Sequence, residues 1–498
     1  MNVNPITRLD YPDPDVIRVE DTYYMVSTTM HFMPGCEILQ SFDLVHWEHA
    51  TYVYETLDHT DAQQLKSGQN IYGQGMWAAS LRYHEGRFYI CFVANDTRKT
   101  YLYTSEKIDG PWKKQLIEGF YHDGSLLFDE DGRNYIVYGN DEIWITELNE
   151  DLTAPKKDGL HRLLVSDHKN PELGYEGSHI QKINGYYYIF LIHSLRDRWM
   201  RTEACFYSDS LEGEFTGGDV LCDDRGYCGQ GVAQGGIVDT PDGKWYAMLF
   251  QDSGAVGRMP ILLPVTWKDH FPFFGQNGHV PEEIEVHSTR PGYIYQPLVG
   301  SDDFCNGLLP RWQFNHDPDP RYYHLDALQG SYTITTREVC TELTQAVNTL
   351  TQRMSYPSCA AEVTVDASAL KEGDVAGLCA LQSCYAAVGI TKHHGKYEVL
   401  MLDKKEDGIL DMTERTVVES HQMDFRLEAD FCNMKDEARC YYRVNKGDWL
   451  PIGTVHKLYF KLDHFTGCRF GLFCYAAEET GGSACFRDFK YYDVDEIS

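Results

Sequence analysis

No stretch of this 498-residue chain approaches the ~18 consecutive apolar residues of a membrane span. The opening Met1-Asn2-Val3-Asn4-Pro5 carries no basic run followed by an apolar one, so no secretory signal is expected and the chain reads as cytoplasmic. No Cys-x-x-Cys pair occurs. The 15 cysteines are odd in number and scattered, with Cys222/Cys228 and Cys379/Cys384 the close pairs. That excludes a disulfide framework or a zinc ribbon and fits reduced thiols. Basic residues are scarce, 44 against 75 acidic, for a net charge of −31. Phosphate backbones and anionic bilayers would be repelled, so neither nucleic acid nor membrane is expected as a partner, and a neutral ligand fits most easily. Long amphipathic helices are also missing.

Aromatic residues, by contrast, are plentiful. They make up 13% of the chain, with 34 Tyr and 23 Phe, and favour strands. Short β-rich runs separated by turn signals fill residues 5 to 295. Glu20-Asp21, Glu85-Gly86, Asp131-Gly132, Asn184-Gly185 and Asp242-Gly243 each lead into an aromatic run closing on Tyr24, Tyr89, Tyr135, Tyr188 and Tyr246. Asp-Gly and Asn-Gly between β-rich runs are strong hairpin signals. Five such units of about 50 residues predict a five-bladed β-propeller. A sandwich gives no reason for five tyrosines in one phase, and a β-helix needs shorter repeats.

The phase also picks out chemistry. Twelve residues before the last four tyrosines stand Trp77, Asp123, Glu176 and Gln234, and eleven before the first stands Asp13. Equal phase means equivalent places around an axis, so Asp13, Asp123 and Glu176 are expected to converge. Taken singly, each is an ordinary turn-forming acid. Together they are costly to cluster without a use. Glycoside hydrolysis needs one carboxyl to protonate the leaving oxygen and another to activate water or attack carbon. A third carboxylate raises the pKa of its neighbour. Trp77 at the same level could stack on a sugar ring.

Competing motifs are weak. The glycine-rich run Gly226 to Gly236 has no following Lys and leads into a strand, unlike a phosphate loop. Residues 296–302 read as a linker. From 302 to 498 the repeat is lost, but alternating runs such as Ala361-Glu362-Val363-Thr364-Val365 and Ala438-Arg439-Cys440-Tyr441-Tyr442 suggest a jelly-roll β-sandwich. The expected domains are thus 1–295 and 302–498, all-β throughout.

Several stretches resemble glycoside hydrolase family 43. They are Tyr11-Pro12-Asp13-Pro14-Asp15, Met33-Pro34-Gly35, Ser41-Phe42-Asp43-Leu44-Val45-His46-Trp47, Gly75-Met76-Trp77-Ala78, Asp123-Gly124-Ser125, Glu176-Gly177-Ser178-His179 and Gly257-Arg258-Met259-Pro260. The C-terminal half is similar to the β-xylosidase accessory sandwich, through Trp312-Gln313-Phe314-Asn315 and Phe486-Arg487-Asp488-Phe489. The resemblance implies an inverting exo-glycosidase on xylosides or arabinofuranosides of short oligosaccharides. In it Asp13 matches the general base, Asp123 the modulator and Glu176 the general acid. Arg258 and Trp77 match substrate contacts, and Phe465 is the candidate that closes the pocket from the sandwich. No cofactor is required; a structural calcium and a homo-oligomer stay open. Two departures are evident. Ala233-Gln234-Gly235-Gly236 stands where many relatives place a His, so Gln234 takes that position. Met30-His31-Phe32-Met33 replaces a more aromatic stretch, with Phe32 the expected sugar contact there. A non-catalytic carbohydrate-binding propeller is the rival reading.

Overall fold

The computed structural model describes residues 3–493 and is built of strands and three single-turn 3-10 helices. Five four-stranded antiparallel sheets follow one another along the chain. Blade 1 comprises Asp15–Val19, Thr22–Ser27, Gly35–Ser41 and Glu48–Tyr54. Blade 2 begins at Met76–His84, blade 3 at Ser125–Phe128, blade 4 at Glu176–Ile183 and blade 5 at Val232–Asp239. These five first strands touch in order around a ring, and Val232–Asp239 returns to Asp15–Val19. The ring is latched by the N-terminal segment. Asn4 Nδ2 donates to Leu262 O (2.7 Å), Leu262 N donates to Asn4 Oδ1 (2.8 Å), and Tyr11 N donates to Arg258 O (3.0 Å).

The repeated tyrosines have a packing reason. Each lies on the second strand of its blade, and each enters a different apolar cluster between neighbouring blades. Phe92, Phe190 and Phe250 occupy second strands as well and are fully buried. Each such side chain contributes roughly 1.5–3 kcal/mol of burial.

Residues beyond 302 form a sandwich of two antiparallel sheets, seven and eight strands wide. The two inner faces share one core that includes Phe425, Leu427, Leu378, Val388 and Phe470. One strand of the larger sheet comes from elsewhere. Phe32–Met33, from the connection inside blade 1, pairs with Gln313–Asn315 through Phe32↔Asn315 and Met33↔Phe314. Two residues have no readable period, so this pairing left no mark in the sequence pattern. Arg353 reinforces the junction. Its Nε donates to Asp10 O (2.9 Å), and its Nη1 meets Glu37 Oε2 (2.8 Å).

Candidate active site

The first strand of each blade starts with distorted backbone, and that distortion aims its residues at the axis. Asp13, Asp123 and Gln234 all adopt left-handed φ values, 53°, 48° and 61°. Register shifts follow at Trp77/Ser80, Glu176/His179 and Ala233/Gly236. A bulge bends a strand and re-aims its side chains. Non-glycine residues held this way mark places where surrounding structure over-determines the backbone. At Gly177 (φ 62°) a side chain would force its neighbour to move. A Cβ there would lie 2.7 Å from the Gln234 side chain.

Asp13 is 7% exposed and held on both oxygens. Thr28 Oγ1 donates to Oδ2 (2.6 Å), and Arg258 Nη1 donates to Oδ1 (3.1 Å). Arg258 is itself placed by Asp10, whose Oδ1 accepts from Arg258 N (2.8 Å). The other Asp10 oxygen accepts from Gly467 N (2.7 Å), on the sandwich loop that carries Phe465. One buried carboxylate therefore fixes blade 5 and the sandwich loop to the same point.

Asp123 and Glu176 form a second group with His122. His122 Nε2 lies 3.5 Å from Asp123 Oδ2 and 3.6 Å from Glu176 Oε2. Gly177 N donates to Asp123 Oδ2 (2.9 Å), and Asn140 Nδ2 donates to Glu176 Oε2 (2.8 Å). Burial, with the charges of Glu176 and Asp13, pushes Asp123 up to about 6 against the opposing pull of His122. The Asp123 charge in turn raises His122 to about 9, with Glu176 and Asp13 adding to it. Near neutral pH the group is an imidazolium among carboxyls. Asp13 acts on it through its charge but lies outside the cluster whose donor atoms fall within 4.8 Å of one another.

The wall beside the acids is aromatic. Trp77 sits with its ring centroid 6.1 Å from His122 and 5.4 Å from Phe465. Its Nε1 is buried without a protein acceptor. The Phe465 ring lies 4.3 Å from the Arg258 guanidinium, and Arg258 Nη2 is 3.4 Å from Phe465 O. Gln234 is buried, and its N–H donates to Glu203 Oε2 (2.7 Å). Burial raises Glu203 well above the usual carboxylate range.

Phe32 does not line this pocket. It is 2% exposed in the core between propeller and sandwich, beside Leu343, Tyr385 and Phe473, with Arg469 stacked 3.5 Å over its ring. Strand pairing with Asn315 turned it toward the sandwich, and the expectation of a sugar contact at Phe32 is corrected accordingly.

Deeper in the channel, Asp15 is fully buried. It accepts from Leu81 N (2.7 Å), Arg82 Nη1 (2.8 Å) and His179 Nδ1 (3.1 Å). Arg82 also donates to Leu126 O, Ser125 Oγ and Ile180 O, so its guanidinium spans the ring of first strands. A fixed cation already balances the carboxylate there, and this donor set does not fit a calcium ion. The His122, Asp123 and Glu176 atoms are close enough together to share a cation.

His122, Asn140 and Asp10 were not singled out by the repeat phase. His122 directly precedes Asp123, and that adjacency was the available signal. Asn140 and Asp10 reach the site by folding, not by period.

The sequence model of glycosyl hydrolases family 43 matches residues 3–272, and that of the β-xylosidase C-terminal concanavalin A-like domain matches residues 301–492. A β-xylosidase of Formosa agariphila is 27% identical over 99% of this chain and 89% of its own. A bifunctional GH43-CE protein of Bacteroides eggerthii superposes with a TM-score of 0.92 at 42% identity. That comparison covers 99% of this chain and 64% of the longer protein. A GH43 glycoside hydrolase engineered to display both endo-xylanase and exo-arabinofuranosidase activity gives a TM-score of 0.87 at 27% identity, covering 99% of each chain.

Proposed function

The chain belongs to glycoside hydrolase family 43, and from that premise we propose an inverting, exo-acting glycosidase that releases xylose from the non-reducing end of xylo-oligosaccharides. The observation that carries this reading is the proximity of Asp13, Asp123 and Glu176 beside the packed rings of Trp77 and Phe465. The β-xylosidase named among the relatives supports the sugar.

Each residue has a physical task. Glu176 donates the proton to the glycosidic oxygen, oriented by Asn140. Asp13, fixed by Thr28 and Arg258, accepts a proton from water as that water attacks the anomeric carbon from the opposite face. Asp123 supplies negative charge beside the acid, and His122 limits the repulsion between the two. Trp77 and Phe465 exclude water and pack on the sugar. This division requires room for a water between Asp13 and Glu176, about 6.5–9.5 Å between carboxyls.

The test is hydrolysis of aryl β-D-xylopyranoside and α-L-arabinofuranoside, followed by proton NMR in the first minutes. Turnover of the xyloside with α-xylose formed first is the expected result. β-Xylose formed first would refute inversion. Preference for the arabinofuranoside would move the sugar assignment, and no turnover of any glycoside would leave a carbohydrate-binding propeller.

A further inference from the structure

Trp199 is the only tryptophan among the large apolar side chains that the described residues leave exposed, at 45%. A single exposed apolar residue needs no explanation. Its setting does. Trp199 stands on the hairpin between Tyr186–Ser194 and Arg201–Ser208 of blade 4, the blade that provides Glu176. Glu176 pairs with Ile192. The hairpin begins two residues past Ile192, at Ser194, so it rises roughly 7 Å further from the channel floor. It lies against the segment leading into Glu176, because Ser194 N donates to Leu173 O (3.0 Å) and Arg196 Nη2 donates to Lys169 O (2.9 Å).

The tip is held in shape. Leu195 N donates to Met200 O (3.1 Å), and Met200 N donates to Ser194 Oγ (2.8 Å). Arg201 supports the indole, with its guanidinium 5.5 Å from the ring. The same guanidinium pairs with Asp252 and lies 5.2 Å from the Phe250 ring. Phe250 is in turn 5.4 Å from the guanidinium of Arg258, the partner of Asp13. A continuous row of alternating rings and guanidiniums thus runs from the exposed indole to the base.

We propose that Trp199 is an aromatic platform for the leaving part of the substrate, stacking on a pyranose ring of the xylo-oligosaccharide beyond the bond that is cleaved. The inference rests on the glycosidase reading above. In that reading the acid stands on the leaving-group side, and Trp199 shares its blade. An apolar sugar face on an indole is the complement of this surface, and the strongly acidic chain gives a neutral oligosaccharide no charge to overcome.

The test compares Trp199→Ala and Trp199→Tyr with the parent on xylobiose, xylotetraose and an aryl β-xyloside. Loss of one stacking contact of about 1.4 kcal/mol lowers kcat/KM for xylotetraose roughly tenfold in Trp199→Ala. The aryl xyloside rate is expected to stay within twofold, and Trp199→Tyr to recover most of the loss. Equal losses on all substrates, or none on xylotetraose, overturn the platform while the parent's activity upholds the glycosidase reading. A parent that cleaves no xyloside overturns both.

Discussion

Asp15 and Asp123 lie in one channel, are buried to almost the same degree, and are driven in opposite directions. Burial would raise both. Around Asp15 the Arg82 charge and the His179 contact outweigh it, and the carboxyl falls below its ordinary value. Around Asp123 burial prevails, Glu176 and Asp13 reinforce it, and His122 only partly offsets them, so it rises to about 6. The deep site is a saturated network that holds four blades together. The mouth is an under-compensated one. Surplus negative charge is a liability for folding and an asset for moving protons, and that contrast separates Asp15 from the acids proposed to carry the chemistry.

The largest expected effect is on the mouth. Asp13→Ala should lower turnover at the upper end of the about 10²–10⁴-fold range for a general base, equally for aryl and natural substrates. Steady-state rates on both substrate classes check this; a mutant that keeps its rate on either removes Asp13 from the role of base.

Asp15→Asn should act on stability. It leaves Arg82 buried without its counter-charge, at a cost of about 3–5 kcal/mol, read by urea unfolding. Asp15 has a depressed folded pKa, so its contribution is present above the ordinary value of 3.8 and is lost as pH falls through the folded value. The gap between mutant and parent should therefore narrow in acid. Turnover per folded molecule should change only a few-fold.

His122→Gln should alter pH dependence. The imidazole is raised from 6.5 to about 9, so its contribution to stability is full below 6.5 and lost as pH rises through about 9. Above that pH, Asp123 and Glu176 repel each other without compensation. The parent's pH profile of kcat/KM should carry an inflection near 9 that the mutant lacks. The smallest effect is expected for Phe465→Ala, which removes one ring from beside Trp77 and should raise KM about threefold with kcat nearly unchanged.

Period made much of this readable. Tyr24, Tyr89, Tyr135, Tyr188 and Tyr246 recur because each fills the gap between two blades, and counting back from them reaches the strand starts that face the axis. Asp13, Trp77, Asp123, Glu176 and Gln234 are visible by that count alone. His122 has no counterpart at its phase in the other blades, so the count passes over it. Asp10 and Arg258 are joined across 248 residues by a backbone contact that no local pattern announces. Phe465 comes from a domain without the repeat and was accessible only through family resemblance. Phe32 misled because its neighbours align with a pocket-lining stretch, whereas a two-residue strand carries it into the sandwich edge.

The division of labour at the mouth is tested most directly by Glu176→Ala assayed on two xylosides that differ only in leaving group. An aryl group that departs without protonation should be cleaved at a rate near the parent's, while xylobiose, which needs the proton, should be cleaved on the order of 10²–10⁴ times more slowly. Parental rates on both substrates, or an equal fall on both, would contradict the assignment of Glu176 as the acid.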